Sequence, residues 1–258
     1  MKKIFFLIVL LYGHYIIAQQ KVTLENGEVV ILNDDNTWER EEEIVESNTN
    51  AIFYNISSSA TIYKYPSRNA IELKNYNKEQ VKLISYLNGF FQVEDEKNEK
   101  GFFRSTSMDG FSRDHYLPIF EEKAIKRAKL ENKNILIKGA FVNSLNSAGG
   151  VNLSIEWGYF NKNKDIKYIY FTVLPYNNVG DIQSSEVDDT SAFTGEVTGP
   201  ITAENKIITS YWENAWYNNT ISCIKISKIK VVYTDGSSYV FINELPKIID
   251  SKYSNDCN

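Results

Sequence analysis

The chain has 258 residues, 43% hydrophobic and 14% aromatic, with a formal net charge of −5. That length and apolar content supply two small cores and exclude a generally disordered polymer. An acidic chain without a basic cluster argues against nucleic acid or an anionic membrane surface as partner.

Met1, Lys2 and Lys3 precede an apolar run from Ile4 that ends at the small residue Ala18. A basic start, an apolar stretch and a small cleavage residue predict a signal peptide over 1–18 and export to the periplasm or medium. The run is too short for an ordinary membrane span, so no span is expected after cleavage. No Cys follows it, which leaves a lipoprotein anchor unsupported. Residues 19–40 read as a β-meander: VVIL at 29–32 sits between the turn signals Glu25-Asn26-Gly27 and Asn33-Asp34-Asp35-Asn36, and the motif ends at Trp38. Asn33–Asn36 lacks the alternation and closing Glu of a calcium loop, so it reads as a turn. Residues 41–50 are acidic and polar, a solvated linker.

Residues 51–110 hold short β-rich runs at 61–64, 70–73, 80–86, 90–94 and 101–104, separated by turn signals at Pro66-Ser67, Leu87-Asn88-Gly89 and 97–100. Five short strands in so few residues predict a small barrel. The runs ATIYKYPS, VKLISY, GFFQVE and GFFRSTSM resemble a bacterial Src-homology-3-like domain. Tyr63 stands where that family usually has Arg, and Glu79 where it usually has Gly. The resemblance implies a groove that takes cell-wall peptides or glycan. Together with strand alternation it makes Tyr63, Tyr65, Phe90 and Phe102 candidate groove residues. Core and ordinary sheet-surface rings are the other reading of the same four.

Residues 111–133 predict one short amphipathic helix as connector. Pro118 suits its first position, and Phe120, Ala124 and Ala128 recur every four residues.

Residues 134–245 predict an antiparallel β-sandwich. In the strand around 151–158, Val151, Leu153, Ile155 and Trp157 share one face, and Asn152, Ser154, Glu156 and Gly158 the other, as in a half-buried strand. Residues 166–176 carry β-branched and aromatic residues on both faces, as in a strand covered on two sides. Between 221 and 233 the apolar phase shifts near Ser227, which predicts a β-bulge. Asp235-Gly236 predicts a hairpin into a returning strand at 238–242. The runs IKYIYFTVLPYNNVGD, TGPI at 198–201, YWENAWYN at 211–218 and YTDG at 233–236 resemble the immunoglobulin-like modules of unknown ligand in secreted bacterial proteins. Trp212 and Trp216 fall on one face, either as two stacking points for a glycan or partner or as a roof over the core. Residues 246–258 read as a frayed tail.

Cys223 reads as a small core residue and Cys257 as a tail thiol, with a bridge as the alternative. After signal cleavage His115 is the remaining histidine. No nucleophile–base motif, phosphate loop or metal-ligand spacing is legible, so neither catalytic residues nor a metal or cofactor is expected. The expectation is an exported, non-enzymatic binding protein of the bacterial cell envelope, recognising peptidoglycan, a peptide or an envelope protein. The alternative is a carboxylate-dependent, glycosidase-like hydrolase of envelope glycans.

Overall fold

The computed structural model of the chain describes residues 20–23, 29–32, 38–41, 51–56, 59–142 and 149–257. The expected signal peptide, both meander turns and the acidic linker lie outside these residues. The strands β1 (Gln20–Thr23), β2 (Val29–Leu32) and β3 (Trp38–Glu41) form an antiparallel sheet in sequence order, with Leu32 opposite both Gln20 and Trp38. This is the meander the turn signals predict. A separate compact unit starts at Ile52.

That unit begins with six strands: β4 (Ile52–Asn55), β5 (Ala60–Tyr63), β6 (Glu72–Tyr76), β7 (Gln80–Leu87), β8 (Phe90–Glu94) and β9 (Lys100–Arg104). They form one sheet in the order β4-β7-β8-β9-β5-β6. Asn88 and Gly89 both have positive φ, at 47° and 79°, the geometry a two-residue hairpin between β7 and β8 requires. Two expectations need correction. There are six strands rather than five, because Ile52–Asn55 also pairs. The barrel does not close: β4 and β6 remain edges, and β5 meets β9 only where Tyr63 faces Phe102. Phe120 of the following helix completes the core formed by Ile62, Val81, Leu83, Phe91, Val93 and Phe103, so part of that core is covered by helix rather than strand.

A 3₁₀ turn (Ser105–Ser107) leads into α1 (Gly110–Leu130). The helix starts well before Pro118, contrary to expectation. Asp109 is the N-cap, its side chain accepting the Ser112 N–H at 2.8 Å. Pro118 sits inside the helix on an exposed position, where its lost hydrogen bond is met by solvent. Ala124 and Ala128 are small enough to let α1 pack closely on Leu136 of the next strand.

The sandwich has seven strands: β10 (Ile135–Val142), β11 (Gly150–Tyr159), β12 (Ile166–Tyr176), β13 (Phe193–Ile201), β14 (Ile208–Tyr217), β15 (Cys223–Tyr233) and β16 (Ser238–Phe241). Two antiparallel sheets, β10-β11-β14 and β13-β12-β15-β16, enclose a core built on Trp157, Phe171, Val173, Trp216, Ile229 and Val231. The mainly β class with an antiparallel sandwich and a short helix is as the alternation predicts. So is the bulge: Thr172 faces Lys228 and Val173 faces Ile226, so Ser227 is the unpaired residue. The Asp235-Gly236 hairpin also forms, with Gly236 at φ 85°.

Strand coverage differs from expectation in opposite directions. On β12, Ile169, Phe171 and Val173 are buried, whereas Tyr168, Tyr170, Thr172 and Leu174 are only half-buried. Its second face is open, and the tyrosines shield each other there, their rings 6.2 Å apart. On β11 both faces are buried, Ser154 and Glu156 included. Glu156 tolerates this because it holds Lys138 at 2.7 Å and accepts the Asn88 N–H at 3.0 Å. The Asn88 bond joins the six-stranded sheet to the sandwich.

The C-terminal segment is not frayed. In α2 (Leu245–Ile248), Leu245 and Ile248 are buried in the sandwich core. Asp250 is bidentate to Arg127 of α1, at 2.7 and 3.0 Å from one guanidinium nitrogen, and its N–H donates to Ile137. The Asn255 side chain pairs with both backbone groups of Ile226, at 2.7 and 2.8 Å, imitating a strand neighbour. Cys223 and Cys257 form a disulfide, correcting the reading of two separate thiols. Sequence alone could not show that Asn255 and Asp250 bring the tail back to β15.

Candidate functional sites

The rings predicted to line a groove are brought together, but not to solvent. Tyr63, Tyr65 and Phe90 are 7%, 8% and 5% exposed, clustered with Ala70 and the half-buried Phe102 and Cys223. Tyr63 meets Phe90 edge-on at 6.0 Å. The Tyr65 hydroxyl donates to the Cys257 carbonyl at 2.9 Å. The disulfide-held tail therefore covers the face that the groove reading requires to be open. Asn69 and Asn178 extend the seam, donating to the Ile221 and Asn69 carbonyls at 3.3 and 2.9 Å.

The sandwich indoles are not a surface platform either. Trp216 is 1% exposed, and its Nε1 donates to the Ser191 carbonyl at 2.9 Å. Trp212 is half-buried between Phe171 and Phe193, and lies flat on Gly195, where a Cβ would come within 2.4 Å of the indole. The strand is bulged: Val151 faces Trp216 and Leu153 faces Trp212, with Asn214 at φ 52° between them. Two extra residues preserve parity, so both indoles still face the core. They roof it.

An open aromatic surface occurs elsewhere. The four-stranded sheet has one more strand than its partner, and β16 overhangs the sandwich edge. There Tyr233, Tyr239 and Phe241 line a cleft of about 790 Å³, together with the α1–β10 turn and α2. Tyr239 and Phe241 pack at 4.6 Å. Polar groups alternate with the rings: Asn132, Asn134 and Asn161 offer amides, Ser237 and Ser238 hydroxyls. The cleft's lysines are held by acids. Lys164 bridges to Asp235 at 2.9 Å and lies 5.2 Å from the Tyr233 ring centre. Lys133 bridges to Glu131 and donates to the Ile249 carbonyl at 2.6 Å; Lys247 bridges to Glu244.

Several groups at the cleft titrate away from their usual range. The Ser237 hydroxyl, then Lys164, hold Asp235 down to about 2. Burial raises the Tyr233 phenol. A hydrogen bond to Glu244 raises Tyr239. At neutral pH the walls thus present neutral phenols, amides and compensated charges. Such a surface stacks on and hydrogen-bonds to a neutral polar chain. Glu131, the carboxylate on its lining, is committed to Lys133. The thiol that a Cys223–His115 pair would need is consumed in the disulfide, and His115 is exposed on α1 against Tyr116. Among the described residues no cluster of three His, Cys, Asp or Glu side chains could hold a metal, and no helix is long and apolar enough to cross a membrane.

Sequence reasoning read Tyr239 and Phe241 only as a returning strand. The signal was present: two aromatics two residues apart after a Asp-Gly hairpin share one face. What could not be read was that the facing sheet ends one strand short. Comparison with protein-family models finds none that matches the chain, and comparison with characterised proteins finds no significant relative. The class that stands is a mainly β protein with an antiparallel sandwich, and the function is argued from the site.

Proposed function

We propose that the chain is an exported, non-enzymatic binding protein of the bacterial cell envelope, and that the β16 cleft holds its ligand. The ligand class is an extended neutral polar chain: envelope glycan such as peptidoglycan, or a peptide segment of an envelope protein. The observation carrying this reading is the cleft itself, with exposed Tyr239 beside Phe241 and Tyr233 and three side-chain amides around them. Its volume lies in the ordinary range of ligand sites, roughly 300–1,000 Å³. The basic start and apolar run of residues 1–18 support export, and the likeness of residues 51–110 to Src-homology-3-like modules supports an envelope setting.

The test is co-sedimentation of the protein with purified peptidoglycan, in parallel with capture from envelope extract. Binding of an envelope component that Tyr239→Ala weakens about tenfold or more, without change in thermal stability, is the expected result. Release of soluble sugar fragments during incubation would instead favour the glycosidase-like reading. Envelope binding indifferent to Tyr239→Ala would remove the cleft from the function.

A further inference from the structure

We propose that a second, smaller pocket, where the six-stranded sheet meets the sandwich, binds an oxyanion group, a carboxylate or a phosphate, between Arg68 and Arg104. The pocket has a volume of about 180 Å³ and lies where the Asn88-Gly89 hairpin, the 3₁₀ turn at Ser105 and the end of β10 at Val142 converge. At ~30 Å³ per water, it has room for an end group rather than a chain.

Arg104 leaves the end of β9 with its guanidinium over the Tyr63 ring, 5.2 Å from the centre. That contact sets its orientation. Its Nε is buried and has no hydrogen-bond partner among the described residues. A buried guanidinium donor without an acceptor carries a desolvation cost that the Tyr63 ring offsets only in part. Arg68 stands on the exposed turn at the rim. The pocket's remaining wall combines the Thr106 hydroxyl with the apolar sides of Phe90 and Val142.

The described carboxylate at the pocket's edge is already paired. Glu156 reaches the pocket's edge by accepting the Asn88 N–H, but its other oxygen holds Lys138 at 2.7 Å. That pair is neutral as a unit, and among the described residues neither guanidinium has a carboxylate partner. Planar guanidinium forks match the two oxygens of a carboxylate or phosphate, and the apolar wall strengthens the attraction by lowering the local dielectric. The site is independent of the β16 cleft: its lining and its ligand chemistry are both different.

The test is nuclear magnetic resonance of the intact chain. Its readouts are the Arg104 Nε–H signal and the Gly89 amide. Sodium phosphate, sodium acetate and sodium chloride are titrated separately at matched ionic strength. The expected result is a saturable shift of both signals with phosphate or acetate and not with chloride; which of the two binds tighter identifies the group. Arg68→Gln, at an exposed position, should weaken that binding about tenfold, read on the same signals. Arg104→Gln should abolish the Gly89 response. Shifts that chloride reproduces, shifts that do not saturate, or unchanged affinity in Arg68→Gln would each overturn the proposal.

Discussion

The Tyr63–Tyr65–Phe90 cluster and the Tyr233–Tyr239–Phe241 cleft use the same chemistry and have opposite fates. In the first, three rings are closed over by the returning C-terminus, and a phenol donates to the Cys257 carbonyl. In the second, Tyr239 and Phe241 lie on β16, the strand by which one sheet outnumbers the other, and Tyr239 remains 45% exposed. Neither fate follows from residue type. What covers a ring decides whether it contributes stability or presents a surface. Distant segments make that decision: residues 245–257 for the first cluster and the strand count of the opposite sheet for the second.

Substitutions can break the comparison at either end. The largest effects belong to buried groups. Trp216→Ala should destabilise the protein by roughly 3–5 kcal/mol, measured by denaturant titration, and Phe90→Ala by a similar amount. If Phe90→Ala cost almost nothing, the first cluster would be a surface after all. Reducing the Cys223–Cys257 bridge, which spans a sequence separation of 34, should cost roughly 3–4 kcal/mol by the loop-entropy argument, read as a lower melting temperature under reductant. Tyr65→Phe removes one hydrogen bond to the tail and should cost about 1 kcal/mol.

A smaller effect concerns pH. Lys74 lies 2.5 Å from Asp95, and their hydrogen bond holds the Asp95 carboxyl well below the usual carboxylate range. A depressed carboxylate contributes stability above its unfolded value of about 3.9 and loses it as pH falls through the folded one. The melting temperature of the wild type should therefore fall more between pH 4 and pH 2 than that of Asp95→Asn. Equal slopes would show that the Lys74–Asp95 contact is unimportant in solution.

Much of the sandwich was legible because its signals are local. The bulge at Ser227 was visible as a phase shift, and the Asp235-Gly236 turn as a dipeptide with a single strong preference. The core face of β11 followed from alternation. The other face did not, because the partners that make burial of Glu156 tolerable, Asn88 and Lys138, come from other elements. The helix start was missed because Pro118 is an obvious signal and the Asp109 cap a quieter one. The disulfide and the docked tail were missed for the same reason as the groove. Each depends on one long-range contact that periodicity does not encode. For the candidate site, the pattern Tyr239-x-Phe241 was readable, but its exposure was not.

The most direct test of the account is a three-way co-sedimentation of wild type, Tyr239→Ala and Tyr65→Phe with purified peptidoglycan and with envelope extract, alongside their melting temperatures. The account predicts that Tyr239→Ala loses envelope binding and keeps its melting temperature, while Tyr65→Phe keeps binding and melts lower. Loss of binding in Tyr65→Phe with full binding by Tyr239→Ala would contradict it and return the function to the six-stranded sheet.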